Sequence, residues 1–283
     1  MAPTAGARPA TGARLLNPLR MARDLWAHRE LTAQFARREI EGRYRGSFLG
    51  IFWSFITPLV MLGIYTFVFG VVFKSRWPQA RTDSLAEFAV TVFAGLTTFG
   101  IFSECVNRAP GLVVGVPNYV KKVVFPLETL PLSVLGAALF HGAISFAILI
   151  VANLLAGGGL SWTLLLLPLA LLPVVGLSLG VSWLLASLGV FIRDLNNATG
   201  LLVQILFFLT PIFYAVDSLP PQFQALLHLN PFTAIVEDVR RTVLWGQPPL
   251  WGALALNLAI SAAVAVLGYA WFMQTRKAFA DII

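Results

Sequence analysis

Charge is scarce in this sequence of 283 residues: Asp, Glu, Lys and Arg together make up 12% of it. A water-soluble domain carries about 25%, so a surface that faces water on every side is excluded. Cysteine occurs once, at Cys105, which rules out an intrachain disulfide. The three histidines, His28, His141 and His228, stand far apart without ligand spacing, and no metal site is expected. Of the four lysines none follows a glycine, so a phosphate-binding loop ending in Gly-Lys-Ser/Thr cannot occur. Nucleophile elbows and paired carboxylates are missing too, which argues against an enzyme.

What fills the space is hydrophobic, 58% of the chain, arranged in blocks near the roughly 20 residues that cross a bilayer as a helix. The blocks are continuous and do not alternate every second residue, so a β-barrel is not expected. With no water to satisfy backbone groups, helices are the solution left. Six spans are predicted: Ser47 to Phe73, interrupted by Pro58; Leu85 to Val106; Leu130 to Ala156; Trp162 to Ile192, with Pro168 and Pro173; Asn197 to Val216; and Leu250 to Met273. The fourth is longer than the bilayer core and must tilt, kink or protrude. An all-α membrane protein follows, with its six-span domain over residues 47–283.

An even number of spans puts both termini on one side. That side holds fifteen basic residues, from Arg8 to Arg45 with Arg108, Lys121, Lys122, Arg193, Arg276 and Lys277. The other holds five: Lys74, Arg76, Arg81, Arg240 and Arg241. The positive-inside rule makes the first side cytoplasmic. The net charge of +7 is therefore a mark of topology, and no nucleic-acid partner is expected. Met1 to Asn17 is rich in Ala, Gly, Pro and Arg without an apolar core, so a disordered cytosolic tail, not a signal peptide, is expected over residues 1–28.

Two segments fit neither span nor loop. Within residues 29–46, Leu31, Phe35, Ala36, Ile40 and Tyr44 oppose a face of Glu30, Gln34, Arg37, Arg38, Glu41 and Arg45, the pattern of a helix lying in the membrane interface. Glu39 and Arg43 interrupt the apolar side at the spacing of an ion pair. Between spans five and six, Pro220-Pro221 and Asn230-Pro231 predict two short re-entrant helices that dip in from outside, with Glu237 and Arg241 as a second i,i+4 pair. Glu104 is the one acid well inside an apolar block, and hydrogen bonding or snorkelling is expected of it rather than a proton relay.

The most informative stretch runs from Arg43-Tyr44-Arg45-Gly46-Ser47-Phe48-Leu49-Gly50 through Trp53 to Thr57-Pro58-Leu59. It resembles the start of permease subunits in the type-2 ABC exporters of lipid-linked polysaccharides, the O-antigen, capsule and teichoic-acid group. Further matches are Tyr65-Thr66-Phe67-Val68-Phe69, Lys121-Lys122-Val123-Val124-Phe125-Pro126, Arg193-Asp194-Leu195, Asn230-Pro231 and Phe279-Ala280-Asp281. The resemblance implies a homodimer in a bacterial inner membrane, paired with two copies of a cytosolic ABC ATPase. That partner would bind ATP and magnesium; this chain would need no cofactor. The cargo implied is an undecaprenyl-linked glycan, O-antigen first. Coupling to the ATPase is expected at Asn118, Tyr119, Lys121, Lys122, Arg193 and Asp194, although Lys121 and Lys122 also read as plain positive-inside anchors.

On the first span Phe48, Phe52, Phe55, Phe69 and Phe73 form one stripe with Tyr65 at its edge. Flat apolar faces suit the C–H faces of sugars in a channel; the alternative is lipid contact or packing between spans. Arg43, with Tyr44 and Arg45, is expected to receive the lipid pyrophosphate, because a guanidinium presents a planar fork to phosphate oxygens. The competing expectation is that Arg43 only anchors its helix through Glu39. A drug or lipid exporter of the same fold is a rival reading, but its segments lack the Arg-Tyr-Arg cluster. A polyprenyl-lipid transferase would need acidic metal-binding motifs that this chain does not concentrate anywhere, and a secondary transporter would need more charge within the spans.

Overall fold

The structure, a computed structural model, describes residues 16–72, 77, 84–121 and 125–283. Among these it is helical throughout, without a strand. Lys74, Arg76, Arg81, Lys122 and the aromatic Phe73 lie outside the described residues.

The chain begins with α1, Pro18–Ala27, and α2, Arg29–Tyr44. α1 occupies the last part of the segment expected as a disordered tail. Its start is built by Asn17, whose Oδ1 accepts from the amides of Leu19 (3.0 Å) and Arg20 (3.3 Å), followed by Pro18 in the first helical turn. The same signal, Asn230-Pro231, starts α10 below. α2 covers the segment expected as an interfacial helix, and its apolar side packs on protein: Leu31, Phe35, Ala36, Ile40 and Tyr44 are each part-buried.

The first span is made of a 3₁₀ turn, Gly50–Phe52, then α3, Trp53–Tyr65, then a π-helical stretch, Thr66–Val72. The long spans that follow are α4, Leu85–Arg108, and α6, Thr129–Leu155, separated by the short α5, Pro117–Lys121. Next comes α7, Leu167–Phe191, entered through a 3₁₀ turn at Trp162–Leu166. After α8, Leu195–Leu209, two short helices follow: α9, Pro221–His228, and α10, Pro231–Val243. The chain closes with α11, Trp251–Thr275, and α12, Phe279–Ile282. Among the described residues, five helical stretches are long and apolar enough to cross a membrane, and α8 is a shorter apolar helix of 15 residues.

α8 falls short of the expected Asn197–Val216 because Pro211 ends it. Proline supplies no amide donor, and it pushes the residue before it out of helical geometry; Thr210 is extended. The carbonyls freed at this break meet Arg240 of α10. Its Nη1 donates to Pro211 and its Nη2 to Ile212, each at 2.9 Å, while Nε donates to Thr91 of α4 at 3.1 Å. The guanidinium also lies 4.1 Å from the centre of the Trp77 ring. Arg240 is 1% exposed, and the three carbonyls with the Trp77 ring take the place of water around its permanent charge. The predicted pair of Glu237 and Arg241 does not form: Arg241 Nε donates instead to the Pro248 carbonyl at 2.9 Å.

α4 is the centre of the core, with Phe88, Phe93, Phe99, Ile101 and Phe102 buried along it. α7 and α11 touch backbone to backbone. A Cβ added to Gly180 would strike the carbonyl of Val264, and one added to Gly268 would strike that of Gly180. Such contact lets small residues replace the hydrophobic drive that lipid removes. The first span behaves oppositely. Only Ser54 and Gly70 are buried along it, while Phe52, Leu59, Ile64 and Phe67 are exposed.

Candidate functional site

The site grows from two charge pairs written into two helices. α2 carries Glu39 and Arg43, α4 carries Glu104 and Arg108, each an acid followed by a base four residues on. The helices cross so that these charges pair between them. Arg43 Nη2 meets Glu104 Oε1 at 2.5 Å, and Arg108 Nη2 donates to Glu39 Oε2. The expected Glu39–Arg43 pair is thus replaced. An i,i+4 pair on one helix stabilises by about 0.2–0.5 kcal/mol. A carboxylate held within a span loses far more without a cation, so Glu104 takes Arg43, and Glu39 is left for Arg108.

His141 of α6 completes the group. His141 Nδ1 lies 3.0 Å from Arg43 Nη1 and 3.6 Å from Glu104 Oε1, so the ring sits between the cation and the carboxylate. Nε2 is buried and has no hydrogen-bond partner. The Tyr44 ring and the imidazole stand nearly perpendicular, with centres 5.8 Å apart. α2 is held close to α6 above this point, where a Cβ on Gly136 would lie 2.9 Å from that of Ala36.

Arg43 and Tyr44 form a wall common to two cavities. One, of about 580 Å³, lies among the first span, α4 and α6, with Trp53, Pro58, Met61, Thr97 and Ser145 in its lining and Glu104 and His141 at one end. The other, of about 1030 Å³, lies against α2 and is lined by Arg38, Arg43, Arg45 and Arg108 with Glu39 and Glu41, four arginines against two glutamates, and by Tyr119 and Ser133 among others. An apolar chamber and a basic one therefore meet at Arg43, the residue expected to receive a phosphate.

A family comparison fits this arrangement. The model of the ABC-2 type transporter family matches residues 30–244, from α2 through α10. The chain belongs to the ABC-2 type transporter family. This ABC-2 chain is 27% identical over 267 residues to the O-antigen export system permease protein RfbA of Myxococcus xanthus, covering 94% of itself and 100% of that protein. It is 25% identical over 256 residues to RfbA of Klebsiella pneumoniae, covering 90% and 95%. Against the polysialic acid transport protein KpsM of Escherichia coli the identity is 28% over 213 residues, covering 74% and 79%.

The remaining site residues of this ABC-2 chain separate into groups. Phe48, Phe52 and Phe55 are exposed, at 102%, 65% and 40%. Tyr65 and Phe69 turn inward: their ring centres lie 4.9 Å and 4.4 Å from that of Phe213, beyond the end of α8. The predicted stripe divides between Phe55 and Tyr65, on either side of Pro58 within α3, and the π-helical stretch that follows changes the residues per turn at Phe69. Asn118, Tyr119 and Lys121 lie on α5. Tyr119 stacks on Phe125 at 4.8 Å and meets Phe35 of α2 edge-on at 6.0 Å, so the expected coupling segment touches α2. Arg193 lines a cavity of about 740 Å³ together with Gly115 just before α5 and Ile283 at the C-terminal end. Asp194 is exposed beside it. Sequence reasoning passed over Arg108 and His141. The repeated acid–base spacing in α2 and α4 is the signal that could have found the first.

Proposed function

We propose that this chain is the membrane-spanning permease subunit of an ATP-driven exporter that carries undecaprenyl-linked polysaccharide, O-antigen, across a bacterial inner membrane. The observation that carries this reading is the near full-length match to O-antigen export permeases, joined to a basic chamber and an apolar chamber that meet at Arg43. A lipid pyrophosphate has the complementary parts: an anionic head and a hydrocarbon tail. In this reading α8 and its extension to Val216 make a sixth span, and both termini are cytoplasmic. The chain works as a homodimer with two ATPase subunits, which bind the nucleotide and its magnesium. The exposed apolar sides of the first span and of α8, with Leu201, Leu202, Ile205 and Phe208, suit a second copy, and Phe48, Phe52 and Phe55 would then face the channel.

Arg43 has five N–H donors, of which two serve His141 and Glu104. The pyrophosphate would take others, with Tyr44 beside it and Arg45 at the rim. α5 and the Arg193-Asp194 turn would transmit ATPase movement. The test is genetic: a strain lacking the gene should lose its surface polysaccharide and accumulate lipid-linked polymer inside. Arg43→Lys, which keeps charge but not the planar fork, should export poorly while assembly with the ATPase is intact. A normal polysaccharide ladder from the deletion strain would overturn the cargo; a normal ladder from Arg43→Lys alone would overturn only the role of Arg43.

A further inference from the structure

α1 has four distinct sides at about 100° per residue. Met21 and Leu25 pack against the buried cluster that contains Tyr269 and Phe272 near the C-terminal end of α11. Roughly 130° round the helix from them, Leu19 and Trp26 form a stripe seven residues apart, 80% and 70% exposed. Arg20 and Arg23 lie on the next side, and Asp24 lies opposite the exposed stripe. All three are exposed.

Depth is set by the contact with α11. The helical stretch Trp251–Ile282, of which α11 is the main part, has 32 residues, about 48 Å at 1.5 Å per residue against a hydrocarbon core of roughly 30 Å, so its last turns stand among headgroups, and α1 stands there with them. Large apolar side chains at that depth, next to arginines that reach phosphate height, are what an interface-bound helix presents. Trp26 is suited to that layer, apolar in its ring and polar at its N–H. Its face carries the Arg29 guanidinium at 5.4 Å, a third cation at the same level, which also lies 3.5 Å from the exposed Glu30 carboxylate.

We infer that α1 is a docking surface for the anionic headgroups of the leaflet in which α11 ends, with Leu19 and Trp26 immersed and Arg20, Arg23 and Arg29 on lipid phosphates. This rests on the chain crossing a membrane, not on its cargo. The test places spin labels at Leu19→Cys, Trp26→Cys and Asp24→Cys in a full-length Cys105→Ser chain. Lipid discs of phosphatidylcholine, with and without phosphatidylglycerol, would be used both with and without the ATPase. Labels at 19 and 26 should relax with oxygen and the label at 24 with an aqueous nickel chelate. Phosphatidylglycerol should deepen the first two, and Arg20→Gln with Arg23→Gln should undo that gain, by about fivefold per arginine in the docked ratio. In unlabelled protein, brominated phospholipid should quench the emission that Trp26→Phe removes. Equal nickel access at all three positions would overturn the inference. Shielding of 19 and 26 from both reagents would do so too, pointing to the ATPase if it needs that subunit and to a second copy if it does not.

Discussion

Replacing Glu104 by Gln should loosen α2 from the membrane bundle. The Arg43 side chain is 41% exposed and that of Glu104 is 16% exposed. Exposed ion pairs contribute about 0–1 kcal/mol and breaking a buried one costs about 3–5 kcal/mol. A pair between these limits, with Gln still able to accept a hydrogen bond, should lose about 1–2 kcal/mol, which is roughly a 5–30-fold change in an equilibrium. A cysteine at Ala36, in a Cys105→Ser background, reads that equilibrium. It is covered by α6 near Gly136 while α2 is docked, and its labelling rate tracks the undocked fraction. Glu104→Gln should therefore speed labelling by about 5–30-fold, and Arg43→Glu should speed it further by placing two carboxylates together. Combining Arg43→Glu with Glu104→Arg should bring the rate most of the way back. Labelling of Glu104→Gln at the parental rate, or a charge-swapped protein no slower than Arg43→Glu alone, would refute the cross-helix pairing.

Cysteines at Gln222 and Gln247 should react with an impermeant thiol reagent in whole cells, and one at Asn118 only after the membrane is broken; labelling of Asn118 from outside would reverse the orientation. The isolated chain should hydrolyse no ATP, while the complex with its ATPase should, as a phosphate-release assay of both would reveal. Arg240→Ala strips three carbonyls of their donor and should cost about 3–5 kcal/mol, seen as a lower yield of monodisperse protein after heating, with Arg240→Lys intermediate. Gly268→Leu should separate α11 from α7 and abolish assembly in the same assay, whereas Gly252→Ala, where an added Cβ meets nothing within 4 Å, should be silent.

Hydropathy made the long helices legible, because lipid demands unbroken apolar runs. It misjudged α8, whose apolar character continues through Ile212 and Phe213 after the helix has ended: a hydrophobic average does not register a missing amide at Pro211. Asn230-Pro231 reads as a helix start beside an apolar repeat, whereas Asn17-Pro18 closes a stretch rich in Ala, Gly, Pro and Arg without an apolar core, which reads as a tail. At the site, the need of Arg43 for a partner was visible, since its position left a guanidinium on an apolar side. Its actual partners stand 61 and 98 residues away, and only the crossing of α2 with α4 and α6 selects them over the nearby Glu39.

The backbone contact between α7 and α11 and the sparse packing of the first span divide the chain into a stiff part and a yielding part. Where glycine carbonyls already touch, two helices have no slack in which to slide, so α7 and α11 must travel as one body. The first span, with two small residues buried along its length, has few internal ties to break when it shifts. A conduit wide enough for a polymer would then widen at little cost along the first span, while the α7–α11 body passes force from one membrane face to the other without absorbing it.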